Sequence, residues 1–267
     1  MAKKKKNNIL VYLGKFLWFI LKIPYYIIKG IYNLIKWIYD ISNKKRILNK
    51  RESLISKYEE FKVIQEINGS YKKWAQEVCN SDSQIGIVLG SRGSGKTAFG
   101  IKLLENIHAK CKKKCYAMGF KEEEMPSWIK AISQVSEIEN NSFILVDEGG
   151  ILFNSRKSMS SANKILSDLI LISRHKNLSI LFISQNSSNL EVNILRQADF
   201  LVLKKSSLLQ KEFERKIIQK FYEETDANFK KFNDIPGLTY IHSNNFKGFI
   251  SNTLPSFWKE SISKSFK

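Results

Sequence analysis

Gly90-Ser91-Arg92-Gly93-Ser94-Gly95-Lys96-Thr97 decides the reading of this chain. The string is G-x-x-x-x-G-K-T, a phosphate-binding loop. An apolar run, Ile85 to Leu89, precedes it and reads as a buried strand. Thr97 to Leu104 follows with helical spacing of its apolar residues. Strand, glycine-rich turn and helix is the context the motif requires, because glycines let successive N–H groups point inward at phosphate oxygens. The helix adds its positive end. Gly90, Ser91, Arg92, Gly93, Ser94 and Gly95 would line the phosphates of ATP. Lys96 would reach the β- and γ-phosphates, and the Thr97 hydroxyl would bind Mg2+. A glycine-rich turn without a ligand needs neither the lysine nor the hydroxyl.

About fifty residues on, Ser142-Phe143-Ile144-Leu145-Val146 runs into Asp147-Glu148. A continuous apolar run of this kind is a parallel strand buried on both faces. Its C-terminal end is where an open α/β sheet places its ligand. Asp147 is then the second Mg2+ residue, and Glu148 the base that polarises the attacking water. Asp147-Glu148-Gly149-Gly150 also fits the GTPase string D-x-x-G, but no N-K-x-D string follows, and no L-S-G-G-Q string precedes it. A third apolar run, Ser179 to Ser184, ends in Gln185, the candidate γ-phosphate sensor. Before it, a helix over about 162–175 ends in Ser173-Arg174-His175-Lys176. Basic residues suit a helix C-terminus. Alternatively, Arg174 projects into a neighbour's nucleotide site as an arginine finger, with Arg196 the second candidate.

GSRGSGKT, FILVDEGG, SRHKNLSILFISQN and ILRQADFLVLKK, in that order, resemble the FtsK–HerA superfamily of DNA-pumping ATPases. Within it the chain looks most like viral genome-packaging ATPases and the zonula occludens toxin-like assembly ATPases of filamentous phages. In the latter an aromatic, Asn and Arg string follows the acidic pair, here Phe153-Asn154-Ser155-Arg156. The resemblance implies a RecA-like (ASCE) P-loop core working as a homo-oligomeric ring, a hexamer. It implies catalytic roles for Lys96, Thr97, Asp147, Glu148 and Gln185. The cargo it implies is DNA bound without sequence preference, or alternatively virion or envelope proteins exported at a membrane. The apolar segment precedes the ATPase core here, whereas the toxin-like proteins are similar in carrying theirs after it.

That segment, residues 9–41, is mostly Ile, Leu, Val, Phe, Trp and Tyr, interrupted by Lys15, Lys22, Lys29 and Lys36. A spacing of seven drifts only about 20° per step on a helix, so the lysines form one stripe. The rest of the circumference is apolar. No stretch is lysine-free for the roughly 20 residues a span wants. A central lysine would cost about 2.5–3.5 kcal/mol on insertion. The pattern therefore predicts an amphipathic membrane helix lying in the interface, bent near Pro24. Residues 1–50 carry a net +11 of the chain's +19, a charge that anionic lipid attracts. The expected location is the cytoplasmic face of a host membrane, or a virion membrane. The remaining +8 permits sequence-independent DNA binding.

Three parts emerge. Residues 1–41 are the membrane helix. Residues 42–82 form a charged helical connector, with Leu54, Ile55, Tyr58, Phe61 and Ile64 spaced for packing. Residues 83–267 form an α/β P-loop ATPase domain with a mainly parallel sheet. Strands are predicted near 85–90, 114–119, 143–147, 179–184 and 199–204, and a helix over 208–223. A terminal hairpin turns at Asn244-Asn245, and the tail, Pro255-Ser256-Phe257-Trp258, is expected to dock on a neighbouring copy. Cys79, Cys111 and Cys115 make no disulfide framework, and His108, Cys111 and Cys115 are too few for a convincing metal site. All are read as incidental, in a reducing setting.

Overall fold

The computed structural model describes residues 3–155 and 159–263. The chain divides into two units, residues 1–50 and 51–267. In the first, helix α1 (Lys3–Glu52) is continuous through Pro24. Trp18, Tyr25, Ile28, Tyr32 and Trp37 are among its exposed large apolar side chains, and the Lys22 ammonium lies 3.3 Å from the Trp18 ring centroid. Among the described residues, no helix is long and apolar enough to cross a membrane.

The second unit is a nine-stranded sheet flanked by helices on both faces. Its elements, in chain order, are β1 (Lys62–Gly69), α2 (Tyr71–Asn80), β2 (Ile85–Leu89), α3 (Lys96–Asn106), β3 (Lys114–Met118), β4 (Ile129–Ile132), β5 (Ser142–Asp147), α4 (Glu148–Ser155), α5 (Met159–Ser173), β6 (Leu178–Ile183), α6 (Val192–Arg196), β7 (Phe200–Leu203), α7 (Leu208–Phe213), α8 (Lys216–Lys231), β8 (Leu238–Ser243), β9 (Phe246–Ser251) and α9 (Glu260–Ser263). The strand order is β1-β9-β8-β7-β2-β6-β5-β3-β4. From β7 to β4 the strands are parallel. β8, β9 and β1 extend the sheet antiparallel. Every residue of β2, β5 and β6 is buried, so their uninterrupted apolar runs follow from cover on both faces. Val88, Leu145 and Val202 face α2, α3 and the C-terminal tail. Their neighbours Ile87, Val146 and Leu203 face α5, α6 and α8.

Several expectations need correction. Residues 42–82 are helical only in part: α1 ends at Glu52 and α2 covers Tyr71–Asn80, but between them lies β1, which pairs with β9 from Lys62↔Ser251 onward. The apolar spacing that looked helical belongs to chain lying along the core, where Phe61 is buried and Leu54 packs against the same cluster. The helix over 208–223 is two helices. Glu214 separates them because its carboxylate turns inward to accept from the Ser187 amide (2.8 Å) and hydroxyl. The cysteines are not all free: Cys79 and Cys111 form a disulfide. Packing of the end of α2 against the turn after α3 brings their Cα atoms to 5.7 Å, within bonding range. Cys115 is a buried thiol, and burial raises its pKa. His108 stacks on Trp128, with ring centroids 4.7 Å apart. Arg156 lies outside the described residues, as do the side chains of Phe153, Asn154 and Ser155.

Candidate nucleotide site

The phosphate loop leaves the C-terminal end of β2 and enters α3 at Lys96. Gly93 and Gly95 hold φ of 76° and 87°, the left-handed region that side chains resist. Gly95 is the residue before the first turn of α3, so the unpaired N–H groups of that turn open onto the loop. The Lys96 ammonium donates to the carbonyls of Gly90 (2.7 Å) and Ser91 (2.8 Å). Burial lowers its pKa to about 8, against the charge of Asp147, which raises it. Ser94 Oγ is buried without a hydrogen-bond partner.

β6 lies between β2 and β5 and sets the acidic pair beside the loop. Asp147, the last residue of β5, is buried. Desolvation raises its pKa to about 6, opposed by hydrogen bonds from the Gly150 and Gly149 amides and the Thr97 hydroxyl and by the charge of Lys96. Thr97 and Asp147, the two residues expected to share a cation, therefore touch. Glu148 opens α4, where a carboxylate suits the positive helix end. Burial raises its pKa, and the charge of Asp147 raises it further; hydrogen bonds with Ser184 and Asn189 oppose both. Its Oε1 is buried and unpartnered. A carboxylate oxygen of this kind, beside the loop, suits a water as its donor.

These groups share one cavity of about 710 Å³, lined by Arg92, Gly93, Gly95, Lys96, Thr97, Asp147, Glu148, Ser184, Gln185 and Asn189. The volume is in the usual range for small-ligand sites. Gln185 is exposed there, and its backbone carbonyl accepts from the Gln210 amide of α7. Arg174 is elsewhere. With Arg196 it lines a separate cavity, together with Ser83, Asn177 and Asp199, before the first residues of β2, β6 and β7. Both arginines are exposed at the sheet end opposite Lys96. Neither enters the chain's own site.

Sequence reading missed Ser184 and Asn189, which hold Glu148, and Leu254, Trp258 and Ser263, which also line the cavity. It also missed Lys204, which follows β7 and is fully buried beneath the loop. A Cβ on Gly90 would come within 2.6 Å of Lys204 Cβ, so this position needs glycine for space. The three N–H groups of Lys204 match three acceptors: Asn252 Oδ1 (2.7 Å), Gly237 O (3.0 Å) and Leu238 O (3.4 Å). Burial lowers its pKa from the ordinary 10.5 to about 7. Between those values the unfolded chain binds the extra proton, so this group makes stability rise with pH across that window. Its contribution is lost as pH falls through about 7. Urea unfolding at pH 7 and pH 9 should show a gain that Lys204→Met lacks.

Neither a protein-family model nor a curated protein matches the chain. Solved structures do resemble it. The genome-packaging NTPase B204 from Sulfolobus turreted icosahedral virus 2, in complex with AMPPCP, aligns over 65% of this chain and 99% of its own at 13% identity, with a TM-score of 0.43. The DNA-packaging ATPase B204 from Sulfolobus Turreted Icosahedral Virus covers the same shares at 12% identity and 0.44. EssC (ATPases 2 and 3) from Geobacillus thermodenitrificans aligns over 69% of this chain and 42% of its own at 11% and 0.40. Packaging ATPases are thus among the solved structures that resemble it. At this level of likeness the neighbours decide nothing about function.

Proposed function

We propose that this chain is an ATPase of the ASCE, RecA-like type that translocates DNA from a membrane surface, packaging or extruding a viral or plasmid genome. One observation carries the reading. Lys96, Thr97, Asp147 and Glu148 converge in a single cavity at the C-terminal ends of β2 and β5, beside a loop whose backbone opens inward. Lys96 and the loop amides would hold the triphosphate. Thr97 and Asp147 would hold Mg2+, which supplies charge neutralisation on the phosphate oxygens. Glu148, kept in place by Ser184 and Asn189, orients and deprotonates the attacking water. Gln185 reports on the γ-phosphate through the Gln210 contact to α7. Arg174, at the opposite end of the sheet, can complete only a neighbour's site, which supports action as a ring, a hexamer in the proposal. Residues 9–41, with their lysine stripe and exposed aromatic residues, lie in the membrane plane. The location is the cytoplasmic face of a host membrane, where a reducing setting would hold Cys79 and Cys111 as a close thiol pair, or a virion membrane.

A second reading keeps the ATPase and changes the cargo to a virion or envelope protein. The exposed apolar side chains Leu208, Leu209 and Phe213 on α7 favour it, since they suit a protein surface better than a phosphate backbone. Steady-state ATP hydrolysis by the full chain, with and without double-stranded DNA, separates the two. The first predicts a rate several-fold higher with DNA, and a stimulation that weakens with salt. Turnover indifferent to DNA sinks it and leaves the export motor.

A further inference from the structure

We infer that Leu254 and Trp258, on the C-terminal tail, form the nucleobase subsite of the cavity, gripping a nucleoside triphosphate by stacking on its base. The inference rests on the nucleotide reading of the site and names the part of the ligand that reading leaves unplaced. A triphosphate needs only N–H groups, a lysine and a hydroxyl, all supplied by residues 90–97. Two large apolar side chains in the same cavity wall add nothing to that, although Trp258 also packs in part against the core. Leu254 is 57% exposed although Asn252 and Pro255 on either side of it are buried. The flat apolar faces of a base are the complement of such a pair.

The tail is built to hold these two side chains still. Asn252 accepts from Lys204 beneath the phosphate loop. The Thr253 hydroxyl donates to Glu59 (2.7 Å). The Ser256 amide donates to Glu105 of α3 (3.1 Å). Phe257 and Ile262 are buried in the core beside α3, and the Trp258 amide closes a turn onto the Pro255 carbonyl at 3.0 Å. The tail therefore docks on its own domain. Anchors alternate with Leu254 and Trp258, so neither faces the cavity through slack in the chain. Stacking accepts any base, because every base offers a π-face. The subsite accordingly selects nucleotides over bare polyphosphate and discriminates weakly between ATP and GTP.

The test is calorimetric titration of the full chain with ATP, GTP and inorganic tripolyphosphate. Trp258→Ala should raise Kd for ATP and GTP by about tenfold, the scale of one lost base stack. Tripolyphosphate affinity should not change. Trp258→Phe should retain most of the binding, and Leu254→Ala, at an exposed position that folding does not need, should weaken the two nucleotides alone by a smaller factor. Equal losses for ATP and tripolyphosphate would mean that the tail only supports the loop, and would overturn the inference. So would nucleotide affinities unchanged in both alanine variants, or a wild type that binds tripolyphosphate as tightly as ATP. A wild type that binds none of the three overturns the phosphate-loop reading itself, and the subsite with it.

Discussion

Glu148→Gln should lower ATP turnover by about 10²–10⁴-fold, the usual contribution of a positioned general base, while ATP still binds. The amide keeps the shape of the carboxylate, so Ser184 and Asn189 can still hold the side chain, but it cannot take a proton from water. Glu148 is only 4% exposed. Burial, reinforced by the charge of Asp147, raises its pKa. A carboxylate raised in this way is a stronger base than one in bulk water, and it acts only once ionised. The wild-type rate should therefore rise with pH as Glu148 ionises; Glu148→Gln should lose that part of the rise and keep only the part that Asp147, with its pKa raised to about 6, imposes. Lys96→Ala should behave differently, losing nucleotide affinity because the phosphates lose their cation. Phosphate release measured from pH 5 to pH 8, beside equilibrium binding of ATP, distinguishes the two. Turnover of Glu148→Gln within a few-fold of wild type would remove the carboxylate from the chemistry.

What the sequence made legible follows from how each element is buried. β2, β5 and β6 are covered on both faces, so apolar runs ending in polar residues marked both the strands and the site at their ends. β1 gave no such signal. Its residues are mostly half-buried or exposed, and its pairing with β9 lies nearly two hundred residues away. β4 has four residues, one of them exposed. Lys204 follows an apolar run with nothing in the sequence to mark it, yet it is fully buried, because acceptors from β8 and from the residue after β9 reach it. The disulfide needed the packing of α2, which nothing near Cys111 in sequence announces. Ser184 and Asn189 carry no motif; they matter because the loop after β6 runs beside α4. Trp258 and Leu254 enter the cavity only because the tail folds back over α3.

That return of the tail also sets the second large effect, the loss on Glu105→Ala. Glu105 sits near the end of the phosphate-loop helix with no exposure. Its carboxylate accepts from Lys102 Nζ (3.1 Å), the Lys57 amide (3.1 Å), the Ser256 amide (3.1 Å) and the Ser256 hydroxyl. Lys102 is equally enclosed, with Glu59, half-exposed, as its other partner at 3.2 Å. Deleting one member of a buried pair strands the other charge, at a cost of about 3–5 kcal/mol. That is a large part of a typical domain's stability. Glu105→Ala should lower the urea midpoint accordingly. Lys102→Met should also destabilise, but the double variant should lose less than the sum of the two, because no buried charge is then left unpaired. The Ser256 anchor goes with Glu105 in either background, so nucleotide affinity should fall in both, even where the double variant recovers stability. Recovery of stability together with affinity would show that Glu105 acts on the site only through the stability of the fold.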